Sequence, residues 1–113
     1  MIEKTVLDYL NKSLDVSVYA ETPEEPPESY VLIEKTGEGE EDYIYSATLA
    51  IQSYAESLCC AAELNEKVKK VMADAVVIDE ICKVELNSNY NYTDTTTKKY
   101  RYQAVFNVYH YLN

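Results

Sequence analysis

The chain has 113 residues, with 20 acidic and 10 basic side chains, one histidine and a formal charge of −10. That length suits one compact domain over residues 1–113, and 47% hydrophobic residues supply its core. The charge excludes a phosphate-binding surface of lysine and arginine stripes, since Arg101 is the only arginine.

Residues 2–14 place Ile2, Val6, Leu10 and Leu14 four apart, with Leu7 beside them, and so predict a helix with one buried stripe. Residues 16–19 suit a short strand. Pro23, Pro26 and Pro27 then predict a loop, because proline lacks the amide donor and restricts its predecessor. Residues 30–36 read as a strand. Gly37 and Gly39, the only two glycines, sit in an acidic connection that ends at Asp42, which predicts the turn there.

Residues 43–52 alternate, with Tyr43, Tyr45, Ala47, Leu49 and Ile51 on one face of an extended segment. Ser53 with Glu56 three residues on has the form of a capping box, so a helix is expected to replace the strand at Ser53. Cys60, Ala61, Leu64, Val68, Val71, Met72 and Ala75 then hold helical spacing, with Glu63–Lys67 and Glu66–Lys70 as expected pairs on the outer face.

Residues 83–92 and 98–111 read as a long hairpin with a turn at 94–97. If paired positions sum to 192, Cys82 faces His110, Val84 faces Val108, Leu86 faces Phe106, Ser88 faces Ala104, Tyr90 faces Tyr102 and Tyr92 faces Tyr100. The element order predicts an α+β fold, a mainly antiparallel sheet of about four strands with two helices packed on one face.

The longest run without a polar residue, 58–62, has five residues against the roughly 20 of a membrane helix. The opening residues show no basic stretch followed by an apolar one, so no secretion signal is expected. Three cysteines, Cys59 and Cys60 adjacent, do not make a disulfide framework and suit a reducing compartment.

His110 opposite Cys82 gives two potential ligands, too few for a zinc site, and packing is the expected role of both. Glu38, Glu40, Glu41 and Asp42 lack the alternating spacing of a calcium loop and read as a solvated charged loop. The sequence contains no phosphate-binding glycine loop, no G-x-S-x-G and no H-E-x-x-H, so neither catalysis nor a cofactor is expected. Lys98, Lys99 and Arg101, interleaved with Tyr100 and Tyr102, form the basic cluster. It reads as a solvated hairpin end that offsets nearby carboxylates, or as a surface that meets the acidic loop of a neighbouring copy head to tail.

Three stretches together carry a resemblance: Pro-Pro-Glu-Ser-Tyr-Val-Leu-Ile-Glu at 26–34, Ala-Thr-Leu-Ala-Ile-Gln-Ser-Tyr-Ala at 47–55 and Tyr-Arg-Tyr-Gln-Ala-Val-Phe-Asn-Val at 100–108. In this order the chain resembles the tail terminator, or tail completion, proteins of long-tailed bacteriophages and prophages. The resemblance implies a non-catalytic α+β subunit, without cofactor, of a hexameric ring on the head-proximal end of the tail. Such a ring stops growth of the tail tube and joins it to the head connector. The implied partners are further copies of the chain, the tail-tube protein and the head connector protein, with no sequence-specific nucleic-acid binding and no membrane. The implied location is the virion, after assembly in the host cytoplasm.

Candidate contacts between subunits or with partners are Glu38, Glu40, Glu41, Asp42, Tyr92, Asp94, Lys98, Lys99, Tyr100 and Arg101. By position, residues 37–42 match a loop that in the family can face the ring channel or a neighbouring ring. Residues 1–53 carry 12 acidic and 3 basic side chains, and nine of those acids lie between Glu21 and Asp42. Six copies of such loops at a channel would repel DNA. A competing expectation is an acidic binding module or DNA mimic that inhibits a basic host protein, with carboxylates spread along one face.

Overall fold

The computed structural model describes residues 1–97 and 99–111. Its elements are α1 (Ile2–Ser13), β1 (Ser17–Tyr19), β2 (Tyr30–Glu41), β3 (Ile44–Ala55), α2 (Leu58–Ala73), a 3₁₀ turn (Ala75–Val77), β4 (Ile81–Asn91) and β5 (Tyr100–Tyr111). The strands form one five-stranded sheet in the order β1-β2-β3-β5-β4. All neighbours are antiparallel except β1 and β2, which run parallel. The fold is α+β as expected, with the short β1 counted as a fifth strand.

Both helices cover the same face. Val6 and Leu10 of α1, with Leu64, Val68 and Met72 of α2, pack on Val31, Ile33, Leu49, Ile51, Phe106 and Val108 in one buried cluster. A fully buried side chain of this kind contributes about 1.5–3 kcal/mol relative to its exposed state, so this layer holds most of the stabilising burial.

Three local expectations are corrected. First, Gly37 and Gly39 lie inside β2 and neither has a positive φ. The turn is instead the two residues Asp42 and Tyr43, at φ 51° and 68°, joining paired Glu41 and Ile44. A two-residue hairpin of type I′ has positive φ at both positions, and here non-glycine residues supply it. Gly39 serves close approach: a Cβ there would come within 3.0 Å of Ser46 Oγ.

Second, β3 continues through Ser53 to Ala55 because Ser53 is held in the ladder between Val31 and Tyr102. The cap of α2 is Ser57, whose hydroxyl accepts from the Cys60 amide at 3.1 Å. Pairing on both sides outweighs the local capping signal, which is worth about 1 kcal/mol. On α2, Glu66 pairs with Lys69 at 2.6 Å rather than Lys70, and Lys67 lies 4.0 Å from Asp15 of the preceding loop.

Third, the β4–β5 register sums to 192 only from Lys83↔Tyr109 to Leu86↔Phe106. Irregularities between Ile81 and Lys83 and between Leu86 and Ser88 shift the rest by one. His110 therefore faces Ile81, Val105 faces Ser88, Tyr90 faces Gln103 and Asn91 faces Tyr102. An inserted residue turns the following side chains to the other face without breaking the ladder. It puts Asn89 on the helix side, where Asn65 Nδ2 of α2 donates to its Oδ1 at 2.6 Å.

Candidate contact surfaces

The structure places the sequence-predicted residues at opposite ends of the sheet. Ile44 pairs with Tyr111 at one end of β3 and Ala55 with Tyr100 at the other. At roughly 3.3 Å per residue the ends are on the order of 36 Å apart, in a molecule 44 Å long. Glu38, Glu40, Glu41 and Asp42 lie at the first end. Tyr92, Asp94, Lys99, Tyr100 and Arg101 lie at the second, and Lys98 falls outside the described residues.

Every residue from Glu38 to Ile44 is exposed, Tyr43 at 87%. Glu38 accepts from Lys35 Nζ at 3.0 Å, and Glu3 of α1 lies 3.4 Å from the same ammonium. The hydrogen bond to Glu38, with the Glu3 charge beside it, holds Lys35 above the ordinary lysine value. Among the described residues, no lysine or arginine lies within ion-pair distance of Glu40, Glu41 or Asp42. Behind this arm the His110 ring stacks on Tyr45 at 5.8 Å, its Nδ1 3.1 Å from the Tyr111 carbonyl oxygen. Cys82 Sγ donates to the Tyr109 carbonyl instead of meeting His110.

At the other end Arg101 is locked in place. Its Nε donates to the Tyr92 carbonyl and its Nη1 to Tyr54 Oη, both at 2.7 Å. The guanidinium lies over the Tyr92 ring at 4.4 Å and the Tyr54 ring at 5.6 Å. Tyr54 in turn stacks on Tyr30 at 4.5 Å with rings nearly parallel, and Tyr30 meets the edge of Tyr19. Burial, then the neighbouring Tyr54, pushes the Tyr30 phenol above its ordinary value.

Below this aromatic row runs a polar one. Tyr54 Oη donates to Gln52 Oε1, Gln52 Nε2 to Gln103 Oε1 at 2.8 Å, and Gln103 Nε2 to Tyr90 Oη. These two rows cross β2, β3, β5 and β4 on the face without helices. Sequence reasoning missed Tyr30, Gln52, Tyr54 and Gln103. Their signal is a period of two, in Gln52 with Tyr54 and in Arg101 with Gln103.

Asp94 is a turn residue. Its Oδ1 accepts from the Thr96 and Thr97 amides, and these bonds, that of Thr96 first, hold its carboxyl below the ordinary value. Tyr100 and Lys99 border a cleft of about 220 Å³ shared with Pro26, Pro27 and Glu28. Among the described residues no three His, Cys, Asp or Glu side chains come together as a metal site, and no helix is long and apolar enough to cross a membrane. No protein-family model matches the chain, and no curated protein matches it.

Proposed function

We propose that the chain is a tail terminator of a long-tailed phage or prophage, a non-catalytic subunit of a ring, hexameric by the resemblance, that ends tail-tube growth and joins the tail to the head connector. The carrying observation is the acidic arm. Its carboxylates beyond Glu38 hold no lysine or arginine of the described chain, and it lies at the end of the sheet opposite Lys99 and Arg101. A contact between one copy's arm and the far end of the next is head to tail, and such contacts close into rings when the rotation permits. The three resembling stretches also fall on β2, β3 and β5, adjacent strands of one sheet.

The DNA-mimic alternative requires acids along one face. The two acid-rich segments instead lie apart, Glu28 beside Tyr100 and Glu38 to Asp42 at the other end. Light scattering and negative-stain imaging across a concentration series, with tail-tube protein added, test the ring. Rings, or capping of tubes, are expected; a strict monomer that neither binds nor caps tubes overturns the reading.

A further inference from the structure

We infer that the open edge of β2, together with α1, forms a groove that receives an extended cationic segment of another polypeptide as an added strand. This goes beyond the ring reading and stands or falls separately from it.

β1 pairs with β2 only from Tyr30 to Leu32. From Ile33 onward, among the described residues, the backbone of β2 is paired on the β3 side alone. The chain turns away at Ala20, so an incoming strand in line with β1 would meet nine residues of unpaired edge, Ile33 to Glu41, about 30 Å at the usual rise. Beside that edge runs a groove of about 460 Å³, with Leu7 of α1, Ala20 and Ile33 among its lining. It continues past Lys35 into a second hollow of about 480 Å³ bordered by Glu38, Glu40, Tyr45 and His110. Backbone pairing supplies affinity in strand addition, and alternate side-chain sites supply selectivity.

The charge fixes the occupant. Glu3, Glu34, Glu38 and Glu40 line the two hollows. Of the two lysines there, Lys35 is engaged by Glu3 and Glu38, and Lys4 by Asp8. Inward-pointing and flanking charges are how natural edges exclude unwanted strands. Here they exclude acidic strands, including the β2 edge of a second copy, and favour one that alternates apolar and basic residues. Its apolar side chains would rest on Leu7 and Ile33 and its cations on the opposite face beside Glu34, while Glu40, returned to the Ile33 side by the register shift between Lys35 and Gly37, attracts the charged end of the segment.

The probe is an octapeptide of alternating valine and lysine, titrated into the isotopically labelled full chain and followed by amide chemical shifts. Expected are shifts along β2 from Ile33 to Glu41, binding about tenfold weaker in the variant carrying Glu34→Lys and Glu40→Lys, and loss of binding when alternate peptide amides are N-methylated. The free variant's unchanged amide spectrum outside β2 verifies its fold. Shifts confined to β4, equal binding of the methylated peptide or of a valine–glutamate peptide, concentration-dependent shifts at Ile33 to Thr36 without peptide, or no shifts at millimolar peptide each overturn the inference, whereas concentration-dependent shifts confined to Glu38 to Asp42 belong to the ring contact.

Discussion

Arg101 donates through Nε to the carbonyl of Tyr92 while its guanidinium lies over that residue's ring at 4.4 Å. The single arginine of the chain thus fastens β5 to the end of β4 and, through Tyr54, to β3. Three roles converge on one planar group: a directed donor, a second donor and a cation on two aromatic faces. Lysine offers one charge point and no plane. Arg101→Lys is therefore expected to destabilise by about 1–2 kcal/mol, from lost hydrogen bonds and stacking, with Arg101→Ala close to it. Urea denaturation reads this as a lowered midpoint, and a fully stable lysine variant contradicts the account.

Ser53 of β3 is fully buried, and its hydroxyl has no hydrogen-bond partner among the described residues. An unpaired buried hydroxyl is a cost that alanine removes without loss of a bond. Ser53→Ala is expected to raise stability by up to about 1 kcal/mol, which thermal unfolding reports as a higher Tm. A lower Tm would show that the hydroxyl has a stabilising partner.

The turn at Asp42 and Tyr43 holds two ordinary residues in the left-handed region, and Tyr43 makes little use of its ring, being 87% exposed. Replacing the pair by Asn-Gly is expected to stabilise the hairpin by about 1 kcal/mol, since that dipeptide suits positive φ at both positions. The measurement is the urea midpoint together with amide exchange in β2 and β3. The same variant removes one acid from the arm, so its effect on ring assembly is read separately.

Tyr9 Oη donates to the Val71 carbonyl at 2.8 Å, joining α1 to α2. Burial, then the charge of Asp74, raises its phenol above the ordinary tyrosine value. Because the folded value lies above the unfolded one, the contribution is complete below about pH 10 and is lost as pH rises through the raised value. Tyr9→Phe is expected to cost about 1 kcal/mol at neutral pH and to flatten the alkaline fall in stability. Denaturation midpoints between neutral and strongly alkaline pH test both.

Patterns that repeat along one element were legible in the sequence. The apolar stripe of Val6 and Leu10, the alternation of Ala47, Leu49 and Ile51, and the helix around Leu64 and Val68 all appear where their periods put them. Features set by a partner strand were not. Ser53 looked like a cap because its neighbours in sequence said so, yet pairing with Val31 and Tyr102 keeps it in β3. Gly37 and Gly39 looked like a turn, although both lie in β2, where the small size of Gly39 serves close approach to Ser46. The irregularity after Leu86 is invisible to a register sum, because it changes the count of residues without changing their type. The Arg101–Tyr54 contact joins residues 47 apart in sequence, and only the β3–β5 pairing brings them together.

That central pairing also shapes the order in which the chain can fold. β2 and β3 are joined by two residues, and β4 and β5 by a short connection, so each hairpin closes over a small loop. β3 and β5 are partners from Ile44↔Tyr111 to Ala55↔Tyr100, separations that carry a far larger closing entropy. The sheet is thus two locally closed halves seamed down the middle, and the bonds Gln52 makes with Gln103 and Tyr54 with Arg101 sit at the end of the seam that closes over the shorter loop.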